Sequence, residues 1–151
     1  MRKYLPWGLA AAVFIADRVT KILAPGIPGE GQTLIPGVLG LRYAENRGIA
    51  FSLLSGMPWA LGLMSLAIIA AVCFFLRGKK LSPLALTGLM MMLGGAAGNM
   101  ADRLISGYVP DMIETLFVRF PIFNLADSCL TIGCVMLIIS LLFRPKDWAN
   151  L

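Results

Sequence analysis

Two stretches of this chain, Pro58 to Leu76 and Pro83 to Ala101, each run 19 residues without a charged side chain. A helix needs about 20 apolar residues to cross the hydrocarbon core of a bilayer, so each stretch is long enough to span one. No water reaches the backbone there, and a helix is the form in which one segment satisfies its own amides. A third uncharged run, Ser128 to Phe143, becomes 20 residues when carried back to Asn124. The segment Tyr4 to Leu23 is also long enough, although Asp17, Arg18 and Lys21 lie near its end. It begins like a signal peptide, with Arg2 and Lys3 before an apolar run, but charges occupy the place of a small-residue cleavage site, so it reads as a retained helix. The expectation is an all-α membrane protein. It would form a four-helix transmembrane bundle in one domain over residues 1–151, with spans near 4–23, 58–76, 83–103 and 124–143.

Composition agrees, since 58% of the residues are hydrophobic and only 14% are charged, far from the balance of an ordinary soluble domain. The net charge of +5 does not mark a nucleic-acid surface, because the basic residues sit in short clusters beside apolar runs. Arg2 and Lys3, then Arg77, Lys79 and Lys80, then Arg144 and Lys146 fall at ends that four crossings place on one side. By the excess of positive charge that side is cytoplasmic, and both termini lie on it. Seven of the eight acids fall on the other side. There the connection from Ala24 to Met57 opens with Pro25, Pro28 and Pro36 and continues with the alternating run "LGLRYA". These signals predict a small extracytoplasmic β-element over about 25–56. A second outer connection, roughly Ile105 to Phe123, carries Asp111.

The inventory narrows the chemistry. The chain has no histidine, which removes Ser/His/Asp triads, Cys/His dyads and HExxH zinc sites together. Cys73, Cys129 and Cys134 are odd in number, form no CxxC pair and lie in apolar stretches, so they read as small buried apolar residues. Attention falls on the ionisable groups at the ends of the spans, where such groups are costly and mark function by default. Asp17 and Lys21 are one helical turn apart, placed either to pair locally or to position a substrate. Gly94 and Gly98 make a small-residue stripe for helix packing. Asn99 and Arg103 share a helix face, with Asp102 expected to hold the Arg103 guanidinium; together they would meet a peptide carbonyl or a lipid phosphate, unless Arg103 only snorkels to the headgroups. Asn124 and Asp127 have the spacing of an N-cap and its N3 partner. Capping leaves Asp111 unexplained. If Asp111 and Asp127 converge on one water, like-charge repulsion keeps one protonated while the other deprotonates the water. Spacing alone does not decide whether they converge.

The ordered blocks "DRVTK" (17 to 21), "YAENRGIAFS" (43 to 52), "GNMADR" (98 to 103), "VPD" (109 to 111) and "FNLADS" (123 to 128) resemble the lipoprotein signal peptidases, over nearly the whole chain. The resemblance implies a bacterial inner-membrane aspartic endopeptidase with its site near the outer face. Such an enzyme cuts prolipoproteins just before a diacylglyceryl-modified cysteine, without metal or cofactor. Carried over by position, Asp111 and Asp127 match the catalytic pair, and Asn99, Arg103 and Asn124 match residues lining the substrate pocket. Asn46 and Gly48 match motif positions taken as substrate-binding, and Asp17 and Lys21 match supporting ones, to which the reading above adds Asp102. The resemblance further implies a β-cradle in the first outer connection, a short covering helix near Asp111, membrane lipids as surroundings, a monomer, and sensitivity to the inhibitor globomycin. Met112, where many members have phenylalanine, and Pro110, where a β-branched residue is common, bear on local loop shape.

Three other readings compete. A small proton-coupled transporter would suit four short spans with intramembrane charges, but it calls for acids near the midplane rather than at the outer ends. A Ser/Lys hydrolase would pair Lys21 with Ser52 or Ser128, yet Asp17 one turn away favours a charged lysine. A non-enzymatic scaffold leaves the polar clusters without a purpose.

Overall fold

A computed structural model gives the fold and describes residues 5–48, 56–75, 77, 81–145 and 148. Among them are four α-helices, α1 (Leu5–Leu23), α2 (Pro58–Phe75), α3 (Pro83–Ile105) and α4 (Leu125–Phe143), and three strands, β1 (Gln32–Ile35), β2 (Leu39–Asn46) and β3 (Val109–Thr115). By length and composition α3 and α4 are apolar enough to cross a membrane. Ser52, one of the two serines of the competing Ser/Lys reading, lies outside the described residues.

Local chemistry sets the helix ends. At the start of α3 the Ser82 hydroxyl accepts from the Ala85 amide and Pro83 occupies the first turn, where a missing N–H costs nothing. The same helix closes at Gly107, whose φ of +75° suits glycine and lets its amide reach the Asp102 carbonyl at 3.2 Å. Asn124 caps α4 in a reciprocal capping box with Asp127.

α3 is the central helix and packs against α1, α2 and α4. Its small residues bring the backbones close. A Cβ on Gly94 would stand 2.6 Å from the Ala10 carbonyl oxygen of α1, and one on Gly98 would strike the Asp17 carboxylate. The expected packing role of this stripe is therefore met, and Gly98 also makes room for a charge. Polarity is distributed inside out: Asp17, Asn99, Asp102 and Asn124 are buried, whereas Ile15, Ile22, Phe74, Ile132 and Leu142 are exposed. An apolar exterior around buried charges is what a lipid-facing protein presents.

The β-element lies partly where the sequence predicts it. β1 and β2 fall within 25–56 and pair antiparallel across a turn at Gly37 (φ +70°), and residues 49–55 of that segment lie outside the described ones. The third strand comes from the connection between α3 and α4. β3 pairs antiparallel with β2, setting Asp111 opposite Ala44, and the register shifts between Leu41 and Ala44. No helix occurs between Ser106 and Asn124; the covering helix expected near Asp111 is replaced there by this strand, whose amides find partners on β2.

Candidate active site

Asp111 enters from β3, Asp127 from the first turn of α4, Asn99 and Arg103 from α3, and Asn46 from the end of β2. These side chains line one cavity of about 680 Å³, with Ser65 and Ile68 of α2 and Leu130 and Thr131 of α4 among its walls. Asp111 and Asp127 therefore share a chamber although one belongs to a strand and the other to a helix.

Carboxamides connect the acids. Asn124 Nδ2 donates to Asp111 Oδ1 at 2.6 Å and to Asn99 Oδ1 at 3.2 Å, and Asn99 Nδ2 donates to Asp127 Oδ1 at 2.8 Å. The other Asp111 oxygen accepts from Asn46 Nδ2 at 3.0 Å. Asn46 Oδ1 in turn accepts from the Gly48 amide at 3.1 Å, and the Gly48 carbonyl accepts from Arg103 Nη2 at 2.9 Å. Burial pushes the Asp111 carboxyl up from 3.8 to about 6. The hydrogen bonds from Asn46 and Asn124 and the Lys21 charge oppose that rise, and the Asp127 charge adds to it. Desolvation thus outweighs the like-charge repulsion that the sequence reading made the main cause.

Beneath the acids lies a charged layer. Lys21 Nζ stands 2.8 Å from Asp17 Oδ2, 2.7 Å from Asp102 Oδ2 and 2.7 Å from Asn99 Oδ1. Asp17 Oδ1 accepts from the Ala126 amide at 3.1 Å, tying α1 to the start of α4. Asp17 and Lys21 do pair locally, and the same lysine reaches the site through Asn99. Asp102 does not hold Arg103; it pairs with Arg18 at 2.6 Å and with Lys21. Adjacent residues on a helix point about 100° apart, so Asp102 turns toward α1 while Arg103 faces the cavity. Arg18 is the site-supporting residue the sequence reading left out, and its signal was its place in "DRVTK", one residue from Asp17. Ser128 Oγ donates to the Asn124 carbonyl at 3.1 Å, while Lys21 faces acids and an amide oxygen, so that serine and lysine are not brought together. Among the described residues no group of three or more acid or cysteine side chains gathers as metal ligands.

An apolar exterior enclosing buried charges, with two carboxylates in a largely apolar chamber, is the arrangement expected of a membrane enzyme. The fold is similar to two solved bacterial membrane enzymes, with TM-scores of 0.84 and 0.82 at 35% identity, covering 98% and 94% of this chain and 92% and 95% of theirs. The chain belongs to the signal peptidase (SPase) II family, whose model matches residues 9–143. Similar curated proteins include the lipoprotein signal peptidase of Syntrophomonas wolfei, 39% identical over 93% of this chain and 94% of that one. Those of Lactobacillus johnsonii and Chlorobaculum tepidum are each 42% identical, over 89% and 91% of this chain and 90% and 92% of theirs.

Proposed function

We propose that this chain, a peptidase of lipoprotein maturation by family, is an aspartic endopeptidase. In this reading Asp111 and Asp127 cut a prolipoprotein just before its diacylglyceryl-modified cysteine. The observation that carries the reading is the shared chamber, where two carboxylates are bridged by Asn124 and Asn99 and one is pushed up to about 6. Both Asp111 oxygens accept from amides, and the carboxyl lines the cavity, where a substrate carbonyl can meet its proton. Asp127 takes a proton from water as the water oxygen bonds to the scissile carbonyl carbon, and Asp111 gives its proton to the carbonyl oxygen. Collapse of the tetrahedral adduct returns that proton to Asp111. The C–N bond breaks as Asp127 passes its proton to the leaving nitrogen. Arg103, Asn46, Asn99 and Asn124 serve as substrate contacts, with Gly48, bonded to both Asn46 and Arg103, beside them, and no cofactor is needed for these steps.

Four spans in the bacterial inner membrane, with both termini cytoplasmic, complete the reading. It rests on the basic clusters and on the apolar exterior of all four helices, and a reporter fused after Leu151 should read as cytoplasmic. The enzyme acts as a monomer among membrane lipids and is a target for globomycin. Two acyl chains fix the depth of the modified cysteine, which turns a search in three dimensions into positioning in a plane. The test compares cleavage of modified and unmodified prolipoprotein at equal concentration, with and without a chelator. Cleavage that needs the lipid and survives chelation is expected. Equal cleavage of the unmodified form would sink the substrate assignment, and loss on chelation the metal-free chemistry.

A further inference from the structure

An amide side chain is a donor at one end and an acceptor at the other, so the direction of an amide network must be set by groups that can only donate or only accept. Two such groups lie at the ends of this one. The Asp127 backbone N–H donates to Asn124 Oδ1 at 2.9 Å, which turns the Asn124 NH₂ toward Asp111 and Asn99. Lys21 is 4% exposed, and its ammonium, with three donors and no acceptor, meets Asp17, Asp102 and Asn99 Oδ1. That contact turns the Asn99 NH₂ toward Asp127. A flipped Asn99 would set an NH₂ against the ammonium and the Asn124 NH₂ and an oxygen against the Asp127 carboxylate, three repulsive contacts in place of three hydrogen bonds, of which the shortest is the one from Lys21.

We infer that Lys21 is a positioning residue that orients the Asn99 carboxamide, so that Asp127 faces a hydrogen-bond donor. Asp17 and Asp102 hold the ammonium at that point, which assigns the charged layer a part in the reaction besides joining α1 to α3. The inference rests on the reading of Asp111 and Asp127 as the catalytic pair.

Comparing two neutral replacements separates orientation from charge. Lys21→Met and Lys21→Gln remove the same charge, but only glutamine keeps an N–H donor directed at Asn99, on a side chain one bond shorter. The loss of an oriented hydrogen bond to a charged group predicts that Lys21→Met lowers kcat roughly ten- to hundredfold with KM within about threefold, while Lys21→Gln regains most of the loss. Because Lys21 acts through Asn99, Lys21→Met should add less than about threefold to the defect of Asn99→Ala. Equal kcat for the two neutral variants, or independent losses in the double variant, would overturn the assignment. Should Lys21→Met fail to accumulate in the membrane, Lys21→Gln decides alone: kcat above about a tenth of wild type supports orientation and kcat below that overturns it. Failure of the catalytic reading shows separately, as turnover retained by Asp111→Asn or Asp127→Asn.

Discussion

Replacing Asp111 by asparagine should change how stability depends on pH. In the folded protein this carboxyl is 2% exposed and titrates near 6 instead of 3.8. The folded state therefore keeps its proton to higher pH than the unfolded chain does, and folding takes up a proton between those values. The contribution is fully present well below pH 3.8, declines as pH rises, and is lost above about pH 6. Each tenfold change in proton affinity is worth about 1.4 kcal/mol, so the ionised Asp111 costs the fold about 3 kcal/mol at neutral pH relative to the fully protonated state. Asp111→Asn removes that dependence. Its own amide must face either Asn46 or Asn124, both donors, but that penalty is the same at every pH and cancels from the comparison. The assay is reversible unfolding of both proteins in mixed micelles at several pH values from 4 to 7. Wild type should lose about 2 kcal/mol relative to the variant across that range, because part of the effect is already lost at pH 4. Repeating the pair in an Asp127→Asn background should preserve most of the effect, because burial raises the carboxyl more than Asp127 does. A difference that stays flat with pH would refute the claim that burial holds a proton on Asp111.

Loss of a donor should act in the opposite sense to loss of the acid. Asn46→Ala removes a hydrogen bond that lowers the Asp111 carboxyl; the alkaline limb of the kcat profile should move to higher pH, and a shift to lower pH would contradict the acid role of Asp111. Gly98→Ala places a methyl group against the Asp17 carboxylate and should cost about 1–3 kcal/mol of stability. Gly8→Ala, whose added carbon meets nothing within 4 Å, is the control, and equal stability of the two variants would show that α3 does not approach α1 as closely as described.

The helices and part of the site could be read from the residues because the signals are local. Uncharged runs of span length mark α2 and α3, a shorter one marks α4, the four-residue spacing of Asp17 and Lys21 anticipates their pair, and the spacing of Asn124 and Asp127 anticipates the cap. β3 could not be read in this way. Its residues "VPDMIET" carry a proline and two acids, and its partner β2 lies far back along the chain. That pairing is what brings Asp111 to Asn46 and into the chamber. The partners of Asp102 are hidden for a related reason: sequence adjacency points to Arg103, whereas helix geometry and the approach of α1 supply Arg18 and Lys21. The directions of the Asn99 and Asn124 amides depend on contacts between α1, α3, β3 and α4, so no single segment encodes them.

Cleavage of a diacylglyceryl-modified prolipoprotein by the purified protein and by its Asp111→Asn and Asp127→Asn variants tests the central claim most directly. Both variants should insert and fold, and each should lose at least about a hundredfold in kcat, within the range that a positioned acid or base contributes. A near-normal turnover in either variant would contradict the assignment of these two carboxylates to the reaction.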